Sequence, residues 1–64
     1  MKLPGKRISF DHDGVLIEGK VVKQWKEGSG RELIEVHTSD NLIEGYDSYI
    51  FNPFPISNWI KVLD

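Results

Sequence analysis

Two carboxylates and an imidazole occupy three consecutive positions at Asp11-His12-Asp13, a set that could hold a divalent metal or run acid–base chemistry. Geometry argues against both uses. Three adjacent side chains cannot converge on one ion, and no second ligand cluster stands elsewhere in the sequence. Followed by Gly14, the triplet reads as a solvated hairpin turn, in which Asp bonds nearby amides and glycine accepts positive φ. Gly28-Ser29-Gly30 beside Arg31 has the composition of a phosphate cradle. Such a loop, however, runs from a strand into a helix, whose amino terminus supplies the amides and the dipole. A strand pattern comes next here, so Lys26–Glu32 is expected to be a flexible hairpin loop. His37 has no nucleophile beside it and is expected on a strand surface. With no serine–histidine–carboxylate spacing and no nucleotide motif, the chain is expected to be neither an enzyme nor a holder of a metal or cofactor.

Binding residues are better represented. The aromatic side chains Trp25, Tyr46, Tyr49, Phe51, Phe54 and Trp59 exceed what the core of a 64-residue chain can hide. Two or three are expected at the surface, where rings give rigid contact area with a polar edge. Tyr49, Trp59 and Trp25 are therefore candidate residues for a protein partner. The alternative is nucleic acid, gripped by Lys20, Lys23, Lys26 and Arg31, with Lys6 and Arg7 on the neighbouring strand. Against it, Glu18, Glu27, Glu32 and Glu35 share those strands, and the net charge of −2 gives no general attraction to phosphate. Leu42 and Ile43 form an apolar pair inside a polar stretch. They are expected to tuck against the core, or else, with the aromatic rim, to support a homo-oligomer.

The elements that must position these residues are strands. Val15–Trp25 is the longest β-favouring run, with Val15, Ile17, Val21 and Trp25 set among more polar neighbours. Gly19 interrupts it, and a glycine there predicts a bulge or sharp bend. Lys6–Phe10, Leu33–Thr38, Tyr46–Phe51 and Trp59–Leu63 are shorter strand candidates. Met1–Gly5 reads as a loose lead-in with a Pro4-Gly5 turn. Asn52-Pro53 ends the fourth strand, since proline donates no amide hydrogen, and a turn of 3₁₀ helix is predicted before the last. No segment has helical period. The expectation is an all-β single domain over residues 1–64, a five-stranded barrel whose closure protects its edges. The chain has no cysteine, so disulfides and thiolate metal sites are excluded. No apolar run is long enough to span a bilayer as a helix, and the basic start lacks a secretion signal, so a cytoplasmic location is expected.

The last stretch, Phe54-Pro55-Ile56-Ser57-Asn58-Trp59-Ile60-Lys61-Val62-Leu63-Asp64, resembles the ending of SH3 domains. That family closes on P-S-N-Y-V and a short strand. Trp59 would stand for the tyrosine, Ile60 for the valine and Lys61–Leu63 for the closing strand. Ile56 is an extra residue, the A-L-Y-D-Y opening is missing, and Trp25 has no tandem partner. The resemblance thus implies an SH3-like barrel rather than a polyproline-binding signalling module. It also implies that Pro55 and Trp59, joined by Tyr49, sit on the rim of that family's ligand groove, which makes Pro55 a further candidate residue for a protein partner. KOW and Tudor-type barrels share the topology. Gly19–Trp25 is also similar to the small barrel of plasmid-borne dihydrofolate reductase, but Tyr49-Ile50-Phe51-Asn52 does not match that family's V-Q-I-Y segment. A small chain of this kind also looks like a phage or mobile-element accessory protein. The resulting expectation is a non-catalytic binding protein.

Overall fold

The computed structural model describes residues 2–38 and 48–63. Within them lie five strands: β1 (Arg7–His12), β2 (Val15–Lys26), β3 (Glu32–His37), β4 (Ser48–Phe51) and β5 (Ile60–Val62). They form one antiparallel sheet in the order β4-β3-β2-β1-β5. Among the described residues there is no helix, and none therefore long and apolar enough to cross a membrane. Leu42, Ile43 and Tyr46 lie outside the described residues.

Turn chemistry fixes the first hairpin. His12 pairs with Val15, leaving Asp13 and Gly14 as a two-residue turn with φ of 52° and 81°. Two consecutive positive φ values are the signature of a tight hairpin turn whose twist matches its strands, and Asp-Gly suits it. The Asp11 carboxylate accepts the Gly14 amide at 2.8 Å. So short a turn lets β1 run two residues beyond the expected Phe10. The second hairpin is closed by the Gly30 amide on the Glu27 carbonyl (2.9 Å) and the Glu27 amide on the Arg31 carbonyl (2.7 Å).

Strand β2 serves two ladders. Its first half, Val15–Lys20, pairs with β1, and its second, Lys20–Lys26, with β3. The expected bulge is real but lies elsewhere: register shifts between Val21 and Lys23, making Val22 the extra residue. Gly19 has a different task. A Cβ there would lie 2.7 Å from the His37 carbonyl oxygen and 2.7 Å from Val36 Cγ1, so only glycine admits this approach of β2 to β3. The bulge also reverses the facing of the residues beyond it. Ile17 and Val21 point into the core, whereas Trp25 turns to the outer face opposite Leu33, and Gln24 lies opposite the core residue Ile34. The simple alternation that would put Trp25 on the face of Val21 is thereby corrected.

The sheet does not close into a barrel, which corrects the expected closed architecture: β4 and β5 remain its two edges. It is nevertheless strongly curled. In a flat sheet β1 and β4 would stand about 14 Å apart, three strand spacings. Yet the Phe10 ring lies 5.4 Å from that of Tyr49 and 4.8 Å from that of Phe51. The concave side is filled by Ile8, Phe10, Ile17, Val21, Ile34, Val36 and Ile60, all buried. Leu3 belongs to the same cluster at 0% exposure, so the loose lead-in is also corrected. A turn closed by the Lys6 amide on the Leu3 carbonyl docks this segment, and the Gly5 amide and Lys6 carbonyl bond both backbone groups of Val21. The Leu3 amide donates to Gln24 Oε1, whose amide nitrogen donates to Glu32. The predicted 3₁₀ turn is likewise replaced: before β5 the chain makes a turn closed by the Ile60 amide on the Ser57 carbonyl, at 3.2 Å.

Candidate functional site: the Trp59 cleft

The convex face of β1, β2 and β5 results from strand alternation. Ile8 and Phe10 point inward, so Arg7, Ser9 and Asp11 point outward; Ile60 and Val62 likewise leave Lys61 outside. Register then builds cross-strand rows. Ser9 stands between Lys61 and Glu18, and Asp11 lies opposite Leu16, while its amide donates to the Trp59 carbonyl at 2.8 Å. The result is a shallow cleft lined by Ser9, Asp11, Leu16, Asn58, Trp59 and Lys61. Leu16 is 70% exposed and Trp59 38%.

Trp59 is anchored as well as exposed. Its ring lies 5.6 Å from Phe51, which continues a chain of rings through Phe10 to Tyr49 and on to His12, 5.2 Å from Tyr49. Tilted and edge-to-face contacts of this kind hold rings in fixed orientations. One side of the indole is therefore supported by the core while the other meets solvent.

The sequence-predicted protein-binding residues do not form one patch. Trp59 lines the cleft. Tyr49 is half-buried on the concave side of β4, separated from Trp59 along the ring chain by Phe51 and Phe10, and Pro55 is exposed but does not line the cleft. Trp25 is half-buried near the end of β2, whereas Leu16 is near its start; Lys23 Nζ sits 5.1 Å from the Trp25 ring centroid. Of the described aromatic residues Trp59 is exposed, Trp25, Tyr49, Phe51 and Phe54 are half-buried, and Phe10 is buried. Ser9, Asp11, Leu16 and Asn58 were not expected at a binding site from sequence. The signal for them was the Asp-Gly turn, which fixes the β1–β2 register and so places Asp11 opposite Leu16.

The basic residues are interleaved with carboxylates. Lys23 stands opposite Glu35 and Lys26 opposite Glu32, while Arg31 Nε lies 3.6 Å from Glu27 Oε2. Arg7 is paired with Glu18, and His37 Nε2 is 2.7 Å from Glu35 Oε2. Lys20 lies between Arg7 and His37 in register. Among the described residues no three His, Asp or Glu side chains gather as a metal site would require. Comparison of the chain with protein-family models, curated protein sequences and solved structures finds no match.

Proposed function

We propose that this chain is a small non-catalytic binding module that engages a protein partner through the Trp59 cleft. The observation that carries the reading is the anchored, solvent-facing indole of Trp59. A ring already immobilised by Phe51 loses little freedom on binding, and tryptophan at the centre of a desolvated contact is the commonest kind of hot spot. Leu16 opposite supplies the second apolar wall, and Ser9, Asp11, Asn58 and Lys61 supply hydrogen bonds around it. The strand order, in which the last strand returns to the first, and the turn-then-strand ending support an SH3-like topology in an open, curled form. Interleaved charges argue for a protein partner over nucleic acid, since phosphate contacts need segregated cations.

The test is selection of peptides from a random display library on the native chain, with affinity then measured against Trp59→Ala and Trp25→Ala. The reading expects peptides that lose at least tenfold in affinity with Trp59→Ala and little with Trp25→Ala. Selection that yields no peptide, or peptides indifferent to Trp59, refutes it.

A further inference from the structure

We propose that the Trp59 cleft recognises an extended segment carrying an acidic and a basic side chain two residues apart. This rests on the binding reading above and specifies the ligand. The cleft has two charged ends that do not satisfy each other. Lys61 and Asp11 both line it, and neither takes part in an ion pair among the described residues. One Asp11 oxygen accepts the Gly14 amide, leaving the other available. Between the two ends lies Ser9, 7% exposed, whose hydroxyl has no hydrogen-bond partner among the described residues. Among the described residues no buried side-chain polar atom lacks a partner, so this oxygen meets the solvent of the cleft, where a ligand group can take the place of water. Glu18, the other carboxylate in the Ser9 row, is already taken by Arg7 and does not compete for an incoming cation.

Spacing selects the ligand. Lys61 is opposite Ser9, and Asp11 is two residues further along β1 on the same face. That separation is about 7 Å along the strand, the distance between same-side residues i and i+2 of an extended chain. An acidic side chain over Lys61 and Ser9 therefore puts a basic one over Asp11. There the stem of the basic side chain crosses the Leu16 wall, and its charge meets both the carboxylate and the face of the Trp59 ring.

The experiment compares display-selected peptides from the native chain with those from the double charge-reversal Asp11→Lys/Lys61→Glu, both checked for folding by circular dichroism. Native-selected peptides are expected to be enriched in one acid–x–base order and to lose at least tenfold in affinity against the reversed variant. That variant is expected to select the opposite order. Ser9→Ala is expected to cut affinity severalfold without altering the preferred order. Trp59-dependent peptides lacking any acid–x–base pattern, or binding both charge arrangements equally, overturn this inference and leave the binding-module reading standing. Absence of Trp59-dependent peptides overturns both. If the double reversal does not fold, Asp11→Asn and Lys61→Gln are read singly: unchanged affinity in both overturns the proposal.

Discussion

Gly19→Ala should destabilise the chain although it adds a single methyl group. The new Cβ would sit 2.7 Å from the His37 carbonyl oxygen, 2.7 Å from Val36 Cγ1 and 3.1 Å from Thr38 Cγ2. None of these atoms is the free end of a flexible side chain. The oxygen is backbone, Val36 is fully buried and Thr38 nearly so. Relief requires β2 and β3 to separate where β2 passes from one ladder to the other. Overpacking of this kind costs about 1–3 kcal/mol. Stiffening the unfolded chain by replacing glycine returns about 0.4–1 kcal/mol. The net loss is then on the order of 1–2 kcal/mol, which in a domain of this size lowers Tm by roughly 5–15 °C. Thermal melts monitored by circular dichroism measure it. Gly28→Ala is the control, because a Cβ there meets nothing within 4 Å and no left-handed φ is involved. A Gly19→Ala protein melting at or above the native Tm would refute the role given to this glycine.

Three further outcomes can be checked alongside. Leu3→Ala removes a fully buried side chain and should cost about 2–5 kcal/mol in urea denaturation, whereas an unstructured lead-in would make it neutral. Gly14→Ala forces a residue with a Cβ to φ of 81° in the first hairpin and should cost about 1–2 kcal/mol by the same measurement, with Gly28→Ala again unaffected. A short single-stranded oligonucleotide should leave the amide resonances of Lys23, Lys26 and Glu32 unmoved at low ionic strength, because Lys23 stands opposite Glu35 and Lys26 opposite Glu32. Salt-dependent shifts confined to β2 would revive the nucleic-acid alternative.

The sequence made the strands legible because their alternation is strong and their breaks are marked. Asp13-Gly14, Gly28–Gly30 and Asn52-Pro53 separate runs rich in branched and aromatic residues, and strands occupy those runs. Long-range effects were hidden. Nothing local distinguishes Leu3 from any apolar residue near a chain start; its burial depends on the Gly5 and Lys6 bonds to Val21, far along the sequence. The bulge fell at Val22, an ordinary strand residue, because register is decided jointly by two neighbours. Gly19, the more conspicuous signal, was needed for close approach instead. That displacement is also why Trp25 moved to the outer face. Closure into a barrel could not be inferred from strand count, since the same five strands with the same curl leave β4 and β5 as edges. Of the site, Trp59 was legible from residue type, while Ser9, Asp11 and Leu16 became its neighbours through register.

The most direct test of the binding account is to measure, on one Trp59→Ala sample, both the affinity for a selected peptide and the free energy of unfolding. Because Trp59 is a partly exposed ring outside the buried core cluster, the substitution should lower stability by about 1 kcal/mol while costing about 2 kcal/mol or more of binding, roughly thirtyfold in Kd. A sample that unfolds far more readily, yet whose folded fraction binds the peptide with native affinity, would show that the indole serves the fold and not a partner.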